Sequence, residues 1–168
     1  MTFPIKVRRG DIFACDLNEG TRGAEQMGIR PVLIIQNEIN NTCSPTTIVA
    51  PLSRSKSKQS QFNHVYLDIS NYKWLKYNSI ILLEQIRCID KSRLLNYTGT
   101  LNEEDMSIVN SVISFSLGLP MDEISLAYLE NMIQSIKQYQ RQSGERIEAI
   151  GMRDAQITIT NNVQRVSA

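Results

Sequence analysis

Arg30 is the residue whose type and position first suggest chemistry. It stands just before Pro31-Val32-Leu33-Ile34-Ile35, where four apolar residues, three of them β-branched, follow a proline without a break. Such a run reads as a strand covered on both faces. Pro31 fixes its own φ and biases Arg30 toward an extended backbone, so the strand starts at this point. A guanidinium is always charged and forks onto phosphate or carboxylate oxygens. Held on so rigid a base, it suits an anion that must be met at a fixed angle. The plainer alternative is an arginine that caps the strand end and pairs with a local acid such as Glu25.

Two other stretches carry groups of the same kind. Ser53 to Lys58 sets Arg54, Lys56 and Lys58 among serines, which is either a solvated hairpin tip or a finger that contacts phosphates. Glu84-Gln85-Ile86-Arg87 places three polar side chains directly after an apolar run. Polar groups turned inward need partners, so a hydrogen-bonded network is expected there, with Arg87 a candidate to face a ligand cleft. His64 is the one histidine. It has no second histidine for paired acid and base work and no thiolates spaced around it for zinc; it reads as a strand residue without chemistry. Walker loop, dinucleotide fingerprint, nucleophile elbow and metal signature are all absent from the sequence, which removes most nucleotide-dependent and hydrolase mechanisms.

The elements that must position these groups are short. Ile12 to Leu17 reads as a first strand, residues 18–29 as a long mobile loop with three glycines, and Pro31 to Gln36 as the next strand. Glu38 to Pro45 is a polar connection. Thr46 to Leu52 is β-rich, and its internal Pro51 predicts an edge, a bulge or a bend. Ser53 to Gln61 is a basic polar loop. His64 to Ile69 alternates with Val65, Leu67 and Ile69 on one face. Ser79 to Leu83 is a buried strand that Gln85 to Ile89 continues after a bulge. There the strands stop. Thr100-Leu101-Asn102-Glu103 has capping-box spacing, acidic residues follow, and Met106, Val109, Val112, Ile113 and Leu117 give an amphipathic helix over 102–117 that Gly118 and Pro120 close. Leu126, Leu129, Ile133 and Ile136 predict another helix over 122–142, and the last residues read as weakly strand-like or disordered. Five to seven short strands with a terminal helix fit a small, strongly bent barrel of SH3-like type. The organisation is a domain over 1–118 and a C-terminal extension over 119–168.

The bulk properties are consistent with this and narrow the class. A chain of 168 residues with 42% hydrophobic content can bury a core, and a net charge of +1 gives no whole-chain field for nucleic acid. Residues 1–118 hold 13 Lys and Arg against 11 Asp and Glu, and 119–168 hold 5 against 6, so anion binding belongs to the first part. Three scattered cysteines suit a reducing compartment rather than a disulfide framework. The N-terminal stretch has no apolar h-region and no run is long enough for a membrane span; a soluble, cytoplasmic protein without a membrane partner is expected.

A series of pieces resembles the MazF/PemK (Kid) family of mRNA interferases, toxins of type II toxin–antitoxin modules. The pieces are Arg9-Gly10-Asp11-Ile12, Glu25-Gln26, Gly28 to Asn37, Ser44-Pro45-Thr46, Ile48-Val49-Ala50, Ile80 to Arg87 and Ile89 to Leu94, in the family's order over roughly residues 6–118. The resemblance implies a CcdB/MazF-like SH3 barrel, a homodimer with single-stranded RNA in a groove at the dimer interface, and neutralisation by a cognate MazE-like antitoxin peptide. It implies sequence-specific, metal-independent cleavage of mRNA by the substrate's own 2′-hydroxyl, leaving a 2′,3′-cyclic phosphate and a 5′-hydroxyl, with no cofactor. The family's catalytic arginine falls on Arg30, and its threonine, 23 residues on, falls on Ser53. Serine keeps the hydroxyl and loses the methyl that stiffens χ1; Thr46 and Thr47 are the other hydroxyls that could take that part. Glu25 is a candidate proton acceptor if its loop folds inward. Arg54, Lys56, Lys58, Gln85 and Arg87 are the expected RNA contacts, and Phe62, Tyr66, Tyr72, Trp74 and Tyr77 the aromatics that could hold unstacked bases or serve the core. Two other functions remain open: an inactive or regulatory homologue that binds antitoxin, and a CcdB-like toxin that binds gyrase.

Overall fold

The computed structural model describes residues 5–54 and 62–143. Within them lie β1 (Asp11–Asp16), β2 (Ile29–Ile34), α1 (Glu38–Cys43), β3 (Thr46–Arg54), β4 (His64–Leu67), β5 (Ser79–Leu82), β6 (Arg87–Asp90), β7 (Leu94–Thr100), α2 (Glu103–Ser116) and α3 (Glu123–Ser143). The seven strands form one sheet in the order β4-β5-β3-β2-β1-β7, and β6 also pairs with β3. Every pairing is antiparallel. The protein is therefore mainly β with helices, as expected.

β2 shows why its apolar run is continuous. Alternate residues of a strand point to opposite faces, and both faces here are covered. Leu33 and Ile35 join Ile12, Ala50, Leu52, Val65, Ile81 and the α2 residues Val109 and Val112 in one buried cluster. Val32 and Ile34 join Phe13, Cys15, Val49, Ile89 and Leu94 in a second, on the opposite face. Burying a side chain of this size is worth about 1.5–3 kcal/mol, so a one-residue slip of β2 would exchange the two sets and cost far more than it could recover.

β3 is the hub. Its first part pairs with β6 through Thr46 to Val49, its middle with β2 through Val49 to Pro51, and its last three residues with β5. Pro51 sits where β3 leaves β2 for β5, and it is buried there; the bend expected from the proline is this change of partner. β6 is a separate strand and no continuation of β5, because a 3-10 turn at Leu83–Gln85 redirects the chain to the far end of β3.

The elements differ from the sequence reading at several points. The polar stretch after Asn37 is helical (α1), because the Asn37 side chain accepts the Asn40 N–H at 2.8 Å and so starts a turn. β7 went unforeseen; its pairing with β1 is broken by register shifts, and LLNYTGT lacks a clean alternation. Ile69 is 43% exposed and opens a 3-10 turn after β4 rather than extending its apolar face. Leu117 is 60% exposed at the C-terminal end of α2. The cap of α2 is Asn102, whose side chain accepts the Asp105 N–H at 2.7 Å, while the Thr100 hydroxyl donates to Asp11 at 2.8 Å and belongs to β7. Gly118, at φ +64°, follows α2 in the left-handed conformation that favours glycine.

α3 occupies residues 123–143, against 122–142 from the periodicity. Leu126, Leu129 and Ile133 are buried with Met121 and Phe62, and Phe115 of α2 packs against them. The Ser111 hydroxyl of α2 donates to the Ser125 hydroxyl of α3 at 2.8 Å. Asp122 accepts the Ser125 N–H at 2.7 Å, a capping bond for α3. The Ile136 side chain lies outside those described.

Candidate active site

The β2–β3 register places the two candidate catalytic residues. It pairs Ile34 with Val49, Leu33 with Ala50 and Val32 with Pro51. Two residues further on, the same register sets Arg30 opposite Ser53. The ladder has stopped by then. Pro51 has no N–H to donate, and Leu52, Ser53 and Arg54 pair with Ile81, Ile80 and Ser79 of β5. The strands part, and a cleft of about 670 Å³ opens between them, with Met27 to Pro31 on one lip and Leu52, Ser53 and Arg54 on the other. Trp74, Leu75, Lys76, Tyr77 and Ser79 form its far wall, and Thr98 of β7 completes it.

Arg30 is half-buried. Its Nε donates to the Met27 carbonyl at 2.6 Å. That bond fixes the plane of the guanidinium and uses only one of its five N–H donors, leaving the terminal fork for an anion. Pairing with Glu25 does not occur: the Glu25 carboxylate accepts the Arg22 N–H at 3.1 Å within an exposed turn. The loop has not folded inward, and Glu25 does not line the cleft.

The loop before Arg30 is better tethered than its composition suggests. The Arg93 side chain donates to the carbonyls of Asp16 at 2.8 Å and Glu19 at 3.2 Å. The Asn18 side chain accepts the Gly28 N–H at 3.1 Å. Gln85 accepts the Gln26 N–H at 3.2 Å. Gly28 itself has φ +85°, a conformation that glycine adopts without strain, and the next residue begins β2.

The other expected contacts divide. Ser53 and Arg54 line the cleft with Arg30. Gln85 and Arg87 do not; Gln85 holds the loop, and Arg87 lies half-buried in β6. Lys56 and Lys58 lie outside the described residues. Thr46 and Thr47 are occupied elsewhere: the Thr47 hydroxyl donates to Asn41 at 2.9 Å in a buried network, and the Thr46 hydroxyl bonds that of Ser44 at 2.9 Å. His64 Nε2 lies 3.2 Å from Glu84 Oε1, away from the cleft.

Of the five aromatics, Phe62 is buried under α3 and Tyr72 is buried with its hydroxyl donating to Asp105. Burial first, and then that bond, raise the Tyr72 pKa far above the usual phenol range. Trp74 and Tyr77 do line the cleft. Lys76, Ser79 and Thr98 are the polar lining residues that sequence reasoning missed. Thr98 comes from the unforeseen β7, and nothing local marks the other two. Among the described residues, no three His, Cys, Asp or Glu side chains gather as metal ligands, and no helix is long and apolar enough to cross a membrane.

Sheet order, bent β3 and closing α2 define a small, β-rich fold. MazF from Deinococcus radiodurans shares the fold with a TM-score of 0.58 at 21% identity, over 68% of this chain and 99% of that one. An endoribonuclease in complex with its cognate antitoxin from Mycobacterial species has a TM-score of 0.57 at 22% identity, over 69% of this chain and 99% of that one. The family model of the PemK-like, MazF-like toxin of type II toxin-antitoxin system matches residues 8–117. Endoribonuclease MazF of Staphylococcus saprophyticus is 47% identical over 113 residues, which make up 67% of this chain and 92% of that protein. The chain belongs to the PemK-like, MazF-like toxin family. α3 lies beyond the matched residues.

Proposed function

We propose that the chain is an endoribonuclease of toxin type, cleaving single-stranded mRNA at a chosen sequence inside the cleft between β2 and β3. The observation that carries this reading is the placement of Arg30 and Ser53 on opposite lips of one cleft, at matching register positions just past the point where the strands part.

The reaction needs no protein nucleophile. The 2′-oxygen of one nucleotide bonds to the adjacent phosphorus, the P–O5′ bond breaks, and a 2′,3′-cyclic phosphate and a 5′-hydroxyl result. What the protein must do is hold the 2′-oxygen in line with the leaving oxygen and stabilise the extra negative charge at phosphorus. Arg30 offers its terminal N–H fork to the phosphoryl oxygens, steadied by the Met27 carbonyl. Ser53 donates its hydroxyl from the opposite side. Arginine has a pKa above about 12 and is a poor proton acceptor near neutrality, so Arg30 acts by electrostatics. The 2′-hydroxyl proton passes to solvent and the departing 5′-oxygen takes a proton from solvent, the Glu25 carboxylate being turned toward Arg22. Arg54 serves the RNA from the same lip, and Gln85 and Arg87 act from outside the cleft.

The protein works in the cytoplasm as a homodimer and is neutralised by a cognate antitoxin peptide. The support is family membership and the antitoxin named with the mycobacterial relative. Purified protein incubated with a mixed RNA, followed by sequencing of the new 5′ ends, tests the reading. Cleavage at one short sequence, unchanged by EDTA and lost in Arg30→Ala, is the expected result. Undiminished cleavage by Arg30→Ala would sink the site. An intact RNA pool, with the protein still binding an antitoxin peptide, would favour a regulatory homologue whose Ser53 no longer supports the chemistry.

A further inference from the structure

We infer that Tyr77 is the stacking platform for the nucleobase next to the scissile phosphate, an inference that rests on the endoribonuclease reading above. Tyr77 lines the cleft and is 51% exposed. The Arg54 guanidinium lies over its ring, 3.8 Å from the centroid. A cation over one face holds the ring in place by cation–π attraction, and the open part of a large apolar ring gains from a second flat partner. Nucleobases are flat, and the cleft that Tyr77 lines is the one that holds Arg30.

Trp74 shares the wall but cannot play this part. Its indole lies against the backbone of Gly99, where a Cβ would fall 2.3 Å from Cδ1. Its ring also packs against Tyr72, with centroids 5.0 Å apart. It is a fixed, half-buried surface, whereas Tyr77 presents a ring to solvent.

The position of the base follows from β3. Arg54 is the residue after Ser53, and a strand advances about 3.3 Å per residue. Ser53 and Arg54 both line the cleft with Arg30 and Tyr77, so a base on the Tyr77 ring and a phosphate held by Ser53 and Arg30 share one cleft, as neighbouring groups of one RNA strand do. Lys76, exposed beside Tyr77 on the same wall, is placed for the next phosphate along the strand. Every base has a π-face, so stacking of this kind tightens binding for many sequences rather than selecting one.

The test uses the full-length protein and a single-stranded RNA oligonucleotide that carries the mapped cut site. Further copies carry an abasic ribose on either side of the cut. Tyr77→Ala is expected to lower kcat/KM about five- to a hundredfold, mostly through KM, while Tyr77→Phe stays within about twofold. The abasic ribose on one side should cost a similar factor, and the two losses should not multiply when combined. Wild-type rates from Tyr77→Ala, or losses that multiply on both sides of the cut, overturn the inference while the endoribonuclease reading stands. A wild-type protein that cleaves no RNA overturns both.

Discussion

Arg30 and Ser53 are the residues on which the proposed site rests, and their chemistry says how each will respond to change. Arg30→Lys keeps the charge but loses the planar fork that can hold Met27 and an anion at once. Removing a donor aimed at a developing charge costs on the order of 3 kcal/mol, so Ser53→Ala should slow RNA cleavage about a hundredfold or more with thermal stability unchanged. Ser53→Thr keeps the hydroxyl, adds the χ1 restraint and should cleave at least as fast as the wild type in the same assay; a Ser53→Ala that cleaves at the wild-type rate would show that the position does not act through its hydroxyl. Cys15, opposite Arg30 in the β1–β2 ladder, is fully buried, and burial pushes its thiol up from 9.0 to about 11. The folded state thus favours the protonated thiol. That contribution to stability is complete below pH 9 and is lost as pH rises through about 11. In native protein, Ellman's reagent should reach the exposed Cys43 and Cys88 at neutral pH and Cys15 only after unfolding.

Among the elements, β7 and the turn carrying Trp74 depend on each other through Gly99. A methyl at position 99 would meet the indole at 2.3 Å, and the indole sits on a core that includes Tyr72 and Leu101. Gly99→Ala should therefore displace Trp74, cost about 1–3 kcal/mol of stability, and change the emission of the only tryptophan. Because Trp74 and Thr98 both line the cleft, cleavage should fall as well. Melting and indole fluorescence measured on one preparation check this; unaltered emission would mean that the wall is softer than the packing implies. β3 teaches a related lesson. Pro51 was legible as an interruption, but its consequence, a strand that exchanges β2 for β5 and opens the site, depends on a neighbour 28 residues further along, at Ser79.

The whole molecule adds α3 to the portion that matches the family. The helix covers Phe62 and Phe115 with Leu126, Leu129 and Ile133, joined by Met121 just before it, and none of its residues lines the cleft. Deleting residues 119–168 should expose those two phenylalanines, lower the melting temperature and raise binding of an apolar dye, while cleavage persists. Loss of cleavage in a truncated protein that remains folded would instead tie α3 to activity, through the dimer or the RNA. α3 was legible from its 3.6-residue spacing alone. Its seat was not, because Phe62 lies beyond the basic loop and belongs to no periodic pattern that includes 126–133.

What the sequence determined by itself is whatever one segment can state: a strand buried on both faces from Val32 to Ile35, a glycine stop after α2, the apolar stripe of α3, and the motif series that led to the family. Tertiary structure decided the rest. It tied the first loop to Arg93 and Gln85 and paired β7 with β1. The physical reason is range. Periodicity and capping act within a few residues, whereas these choices rest on partners tens of residues apart in the chain, and on the parting of two strands, which exists only once both have been placed.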